Sequence, residues 1–324
     1  MRVSRKGAFG VAAWLALGVA GPAAAQDGGA LDGVKNDDGS FTPISSNVTV
    51  LPIVDNAESC VYDAGRGLVL ALNRAEGPRD AMDDAFVSMI GPDGAVAMEK
   101  WEADGLVLNQ PYGSAIAGGL LYVADRDGGT SKDDPSRAVL RIFDLATGAP
   151  KREVEVDSPG LNDIAVAADG TVYGTQTSLG RGPKEEPDPA NWKVFAIAPD
   201  DSVSVLVEGE PLNMPNGIEV DAAGNIVVVD TGDAAVLTFS PDGTLLGTEQ
   251  AAQPGSDGLV LMPDGTKYVG SIREGGISRI RPGEAAELIA TGIPGAASMC
   301  YDAGSNRLVV PLGMNDALAF VPLD

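Results

Sequence analysis

Short apolar runs, each broken by an Asp/Gly turn, recur along the chain, and amphipathic helical stretches are absent. Units of strand, turn, strand read as ESCVYDAGRGLVLAL (58–72), YGSAIAGGLLYVAD (112–125), NDIAVAADGTVYGTQ (162–176), NGIEVDAAGNIVVVD (216–230), DGLVLMPDGTKYVGS (257–271) and ASMCYDAGSNRLVVPL (297–312). Most are followed by a third run with its own turn, as in FVSMIGPDGAV, KVFAIAPDDSV and AVLTFSPDGTLL. Their starting positions are spaced 54, 50, 54, 41 and 40 residues apart. Six copies of this kind predict an all-β chain, a six-bladed β-propeller of four-stranded blades. A β-sandwich does not explain six copies in register. The last copy runs out at Asp324 after three strands, so VTVLPIV (48–54) is expected to supply the missing outer strand and close the ring.

Residues 1–25 read as a secretory signal peptide: Arg2, Arg5 and Lys6, an apolar run from Ala8 to Ala20, then Ala23-Ala24-Ala25. That run is too short for a membrane span, and no later stretch is long enough. A periplasmic or secreted location in a bacterium follows as the expectation. Residues 26–46 are polar and rich in Gly and Asp, and are expected to form a flexible acidic leader before the propeller at 47–324.

Composition then narrows the chemistry. The formal charge is −24, or −27 without residues 1–25 and their three basic side chains. Such a surface repels phosphate backbones and anionic lipid, so neither nucleic acid nor membrane is an expected partner. A monomer acting on a small-molecule substrate or ligand is expected instead. Histidine is absent, which removes Ser-His and Cys-His nucleophile systems and His-ligated metals. A bound metal would need oxygen ligands, which favours Ca²⁺, with Mg²⁺, Mn²⁺ and Zn²⁺ as alternatives.

Aligning the six copies produces one informative column: Glu58, Tyr112, Asn162, Asn216, Asp257 and Ala297. It opens the innermost strand of each blade, so its side chains should gather at one end of the central channel. Four of them carry oxygen ligands, which makes Glu58, Asn162, Asn216 and Asp257 the candidate metal site. Gly217 and Gly258, the next residues, suit close backbone approach at the axis. The longest inserts, 73–85, 126–138 and 178–192, fall between the second and third strands of blades 1 to 3. They should rise around the same mouth, with Tyr112, Arg126 and Trp192 as candidate substrate contacts and Arg74, Arg79, Arg137 and Arg181 as further ones.

The chain resembles the gluconolactonase and senescence-marker-protein (regucalcin) family of six-bladed propellers over about Asn47 to Pro322. The likeness is carried by Glu58, LNDIAV (161–166), MPNGIEVD (214–221) and SDGLVL (256–261). It implies that Glu58, Asn216 and Asp257 hold an axial divalent cation. Asn162 would touch the metal's water or the substrate, and Asp257 would be the catalytic base. The opening Glu58-Ser59-Cys60 differs from the family's usual Glu-Gly-Pro, and Gly160 stands where sugar-lactonase members carry arginine. The closer likeness is to an exported branch with a Glu-Ser-Cys/Val-x-Tyr-Asp opening. The implied activity is hydrolysis of a small lactone or ester. The alternative is a non-enzymatic propeller that binds a ligand or partner protein around a structural cation.

Cys60 and Cys300 are the only cysteines. They lie at nearly the same height in neighbouring blades, with opposite strand parity. Their side chains therefore either face each other, as a disulfide allowed by export, or point apart as two small buried apolar groups.

Overall fold

The computed structural model describes residues 31–36, 38–74, 84–101, 103–129, 133–178 and 187–324. The expected signal peptide lies outside the described residues, as do the greater part of the first and third long inserts and Arg79 and Arg181.

The described residues begin with a small hairpin, β1 (Gly33–Lys35) and β2 (Phe41–Pro43), followed by a short strand β3 (Thr49–Leu51). Blade 1 comprises β4 (Ala57–Asp63), β5 (Leu68–Asn73), β6 (Phe86–Ile90) and β7 (Val96–Met98). Blade 2 comprises β8 (Ser114–Ala117), β9 (Leu120–Asp127), β10 (Arg137–Asp144) and β11 (Pro150–Val156). Blade 3 holds β12 (Ile164–Val166), β13 (Val172–Gln176), β14 (Lys193–Ile197) and β15 (Val203–Glu208). Blade 4 holds β16 (Pro215–Val220), β17 (Ile226–Asp230), β18 (Ala235–Phe239) and β19 (Leu245–Gln250). Blade 5 holds β20 (Ser256–Leu261), β21 (Lys267–Ser271), β22 (Ile277–Ile280) and β23 (Glu287–Ala290). Blade 6 holds β24 (Cys300–Asp302), β25 (Arg307–Leu312), β26 (Ala317–Pro322) and, as its outer strand, β3. This is a six-bladed β-propeller, and its first strands touch in cyclic order around the axis.

Burial explains the sequence pattern strand by strand. Each second strand is sandwiched by neighbouring blades on both faces, so β13, β17 and β21 are buried at every position. Second strands therefore need not alternate, and Leu68–Leu72 in β5 and Ile226–Val229 in β17 are apolar without a break. Outer strands lie at the rim, and β7 is exposed throughout. The core is six separate wedges, one per blade interface. Between blades 1 and 2, for example, Leu70, Leu72 and Val87 meet Leu121, Val123 and Phe143. The turns use the chain's acidity. The Asp93, Asp169, Asp242 and Asp264 carboxylates each accept the backbone N–H two residues on. The glycine that follows each of them has a positive φ of 78 to 89°.

Two devices close the ring. Strand β3 pairs antiparallel with β26, through Leu51↔Leu318, Val50↔Ala319 and Thr49↔Phe320. Cys60 and Cys300 form a disulfide between the inner strands of blades 1 and 6, their Cα atoms 5.6 Å apart. Opposite parity thus turns the two side chains toward each other.

The described part of the polar leader has more structure than its composition suggests. Hairpin β1–β2 folds around the Asn36-to-Ser40 turn, and Asn36 Nδ2 donates to Ser40 Oγ at 2.8 Å. Beyond it, Ser45 N donates to Thr291 O at 3.0 Å, and Thr291 N returns a bond to Ser45 Oγ at 2.7 Å. Leu31 and Val48 pack on the wedge between blades 5 and 6. Two short side chains and a few apolar contacts suffice here, and no period marks them. No helix among the described residues is long and apolar enough to cross a membrane.

Candidate functional site

The channel mouth is built from irregularities in the inner strands. In β16 the register passes from Pro215↔Asp230 to Ile218↔Val228, which leaves Asn216 and Gly217 in a bulge. In β20 it passes from Ser256↔Ser271 to Leu259↔Val269, which leaves Asp257 and Gly258 in another. In β4 it slips between Ala57↔Asn73 and Ser59↔Leu72, at Glu58. A bulge re-aims a side chain that regular pleating would send elsewhere. Three of the four proposed oxygen ligands sit in one.

Glycine is required beside two of them by contact. A Cβ on Gly217 would lie 2.4 Å from Asp257 O, and one on Gly258 would lie 2.5 Å from Ala297 O. Each of these two glycines therefore lets the next blade's column residue approach the axis. Hydroxyls tie the same backbone around the ring. Thr175 Oγ1 donates to Asn216 O at 2.6 Å, Thr177 Oγ1 to Pro215 O at 2.6 Å and Thr231 Oγ1 to Ser256 O at 2.8 Å. Ser59 Oγ donates to Tyr112 O, and Gly113 N donates to Asn162 O at 2.7 Å.

Asn216 Nδ2 donates to Asp257 Oδ2 at 2.9 Å and to Thr231 Oγ1 at 3.1 Å. Both amide hydrogens are thus committed, and among the described residues Asn216 Oδ1 has no donor. Asn162 Nδ2 donates to Thr177 Oγ1 at 2.8 Å, with the same consequence for its carbonyl. Glu58 Oε2 pairs with Arg74 Nη2 at 2.8 Å. Tyr112 carries the Arg74 guanidinium 5.1 Å and the Arg126 guanidinium 3.9 Å from its ring centre. Ala297 is buried and gives blade 6 no polar group at the mouth.

Electrostatics at the mouth are strained toward negative charge. Burial pushes the Asp257 carboxyl well above its ordinary value, and Glu58 and Asp163 push it further. The Asn216 hydrogen bond and Arg74 offset part of that. Burial lifts Asp163 to about 7, against the Ile218 and Ile164 amides that bond it. Burial and then Asp163 lift Glu219 to about 8; this side chain keeps some accessible surface yet is closely surrounded by protein. Burial opposes the charge on Arg74, but Glu58, Tyr112 and Asp257 outweigh it and hold the guanidinium above its usual value.

Asp163 and Glu219 are the site residues that the column alignment passes over. Their signal was available: Asp163 stands where blades 2, 4 and 5 have Gly113, Gly217 and Gly258, and Glu219 interrupts the apolar run of β16. Trp192, expected as a substrate contact, is instead buried among Val194, Val207 and Leu212 between blades 3 and 4. It ends the third insert rather than riding on it, so its ring falls into the wedge. Arg137 is exposed at the start of β10.

The family model for the SMP-30/gluconolactonase/LRE-like region matches residues 80–311, and the chain belongs to that family. No curated protein matches the chain. Among solved structures, it is similar to XC5397 from Xanthomonas campestris, a gluconolactonase important in glucose secondary metabolic pathways. That match has 20% identity and a TM-score of 0.58, covering 86% of this chain and 91% of that one. A putative gluconolactonase matches at 17% identity and TM-score 0.58, covering 86% and 93%. Virginiamycin B lyase from Staphylococcus aureus matches at 11% identity and TM-score 0.58, covering 86% and 99%. At these identities the likeness concerns the fold.

Proposed function

We propose that the protein is a divalent-metal-dependent hydrolase of a small lactone or ester, working at the channel mouth. The observation that carries this reading is the contact between Asn216 and Asp257 beside the Glu58 carboxylate, in a member of a gluconolactonase-containing family.

The donor set suits a hard cation. Asn216 Oδ1 has no hydrogen-bond partner among the described residues, and Asp257 is enclosed near two other carboxylates that Arg74 offsets in part. Glu58, Asn216 and Asp257 would hold the ion, with Asn162 beside it, and Ca²⁺ fits such oxygen ligands best. When bound, the ion supplies charge that polarises a substrate carbonyl and stabilises the oxyanion formed from it.

The chain's own residues do the rest. Asn162 Oδ1 orients the attacking water. Asp257 takes the water's proton at Oδ1, since Oδ2 is held by Asn216. Addition of that oxygen to the carbonyl and loss of the ring oxygen breaks the C–O bond. The proton then returns from Asp257 to the departing oxygen, and the hydroxy acid that results releases its carboxyl proton to solvent. Tyr112 and its two arginines wall the mouth on the blade 2 side.

A disulfide suits an oxidising compartment, which supports a periplasmic or secreted site of action. Titration of the protein with Ca²⁺, Mg²⁺, Mn²⁺ and Zn²⁺, followed by a lactone and ester panel on each loaded form, tests the proposal. Metal-dependent turnover of one of them is the expected result. Tight metal binding with no turnover of any would leave a ligand-binding propeller with a structural ion.

A further inference from the structure

Arg126, on β9, is an arginine without an acid. Among the described residues no carboxylate pairs with its guanidinium, and its Nε is buried with no hydrogen-bond partner. Arg137 and Arg273 also lack an acid among the described residues, but both are exposed, whereas Arg126 is partly buried. Its own neighbours in sequence are committed elsewhere. Asp125 and Asp127 both bind Arg141. Strand alternation puts Arg126 on the opposite face of β9 from them. Arg74, the other guanidinium on Tyr112, is occupied by Glu58.

The guanidinium is nevertheless held in place. It lies 3.9 Å from the Tyr112 ring centre, on the negative face of the π-system. It also fills the space above Gly160, where a Cβ would lie 2.1 Å from Nε and 2.6 Å from Cζ. Gly160 does not have a positive φ, so steric room for Arg126 is what glycine provides there. A fixed guanidinium with unspent donors matches the two oxygens of a carboxylate.

We propose that Arg126 is an anion anchor, and that the substrate carries a carboxylate separate from the bond that is hydrolysed. This rests on the hydrolase reading above. Arg126 is fixed on the blade 2 wall of the mouth with donors to spare, so a carboxylated substrate settles with its charged end there. Its neutral carbonyl end then turns toward the acidic mouth. Arg126 thereby sets both substrate class and orientation.

The test separates the anchor from the chemistry. Isothermal titration of the full chain with glutarate, and with its neutral analogue glutaramide, reads the anchor without turnover. The metal-loaded protein is then assayed on 5-oxotetrahydrofuran-2-carboxylate and on the corresponding carboxamide. Wild type is expected to bind glutarate at least about tenfold more tightly than glutaramide. Arg126→Gln should abolish that preference and lower the ratio of kcat/KM for the acid over the amide by at least about tenfold. Gly160→Ala should do the same by pushing the guanidinium off its seat, which guards against misfolding of the first variant. Equal binding of the two probes by wild type, or a preference that survives both substitutions, overturns the proposal. Preference without hydrolysis of either lactone sinks the hydrolase reading and keeps the anchor. Hydrolysis without preference does the reverse.

Discussion

Asn216 donates to Asp257 across two blades at 2.9 Å, joining residues 41 positions apart at the channel mouth. The bond orders the Asp257 carboxylate and turns the Asn216 carbonyl free. Asp257→Asn keeps the shape and removes the charge. Turnover is expected to fall at least 10²-fold, the usual scale for a lost general base, and metal affinity should fall with it. Thermal stability of the metal-free protein should rise, because a buried carboxylate beside Glu58 and Asp163 is relieved. Undiminished turnover in this variant, measured on the lactone panel, ends the assignment of Asp257 as base.

Arg74 competes with any cation for Glu58, since its Nη2 lies 2.8 Å from Oε2. Arg74→Met should therefore tighten Ca²⁺ binding by at least about tenfold, since a divalent ion and a guanidinium about 6 Å apart repel by about 1.4 kcal/mol even at the dielectric of water, about 80, and by more in a less polar surrounding. The metal-free protein should be less stable, with Glu58 unpaired among acids. Calorimetric titration and melting with and without Ca²⁺ read both effects. Weaker Ca²⁺ binding in the variant would place the ion away from Glu58.

Asp230 is fully buried at the end of β17, and neither carboxylate oxygen has a hydrogen-bond partner among the described residues. Burial lifts it to about 7; the Asn213 amide offsets only part, without a well-aligned bond. Its stabilising contribution is whole below 3.8, where native and unfolded chains are both protonated. Above that the unfolded chain gives up a proton that the native chain keeps, so stability falls as pH rises through about 7. Asp163 and Glu219, also lifted, act in the same direction. Asp230→Asn should flatten this dependence and stabilise the protein at pH 8 by about 1–3 kcal/mol. Denaturant melts at pH 5 and pH 8 measure it, and an unchanged slope with pH would show that Asp230 ionises freely in the native state.

The six-fold repeat, the blade order and the closing strand were legible because they rest on periodicity. GLVLAL and IVVV are apolar throughout since both faces of a second strand are covered. The oxygen-bearing column was legible because Asn216-Gly217 and Asp257-Gly258 recur at one register. The Arg74–Glu58 pair was not, because it joins an insert to a strand through a rotamer choice that no spacing encodes. Asp163 escaped notice because its importance comes from burial and from the Ile218 amide across the blade interface, at 3.1 Å. The docked hairpin escaped for the same kind of reason, since Ser45 and Thr291 meet 246 residues apart with nothing to mark them. Part of the acidity has a local role: Asp93, Asp169, Asp242 and Asp264 fold turns in solvent.

The ring is locked where its ends meet, and the lock is double. The Cys60–Cys300 bond spans 240 residues, and β3 pairs with β26 in the same blade interface region. A loop that long loses much entropy from the unfolded chain when cross-linked, so the bond is expected to contribute about 2–5 kcal/mol. Replacing both cysteines with alanine should lower the melting temperature by about 5–15 °C at this domain size. Because β3 still closes the ring, the variant should keep its fold, metal affinity and turnover at 25 °C. Truncating through Leu51 in the same background should then cost more than in wild type, since each closure limits fraying of blade 6 when the other is lost. Additive losses in melts of the four proteins would show instead that disulfide and strand act on separate parts of the ring.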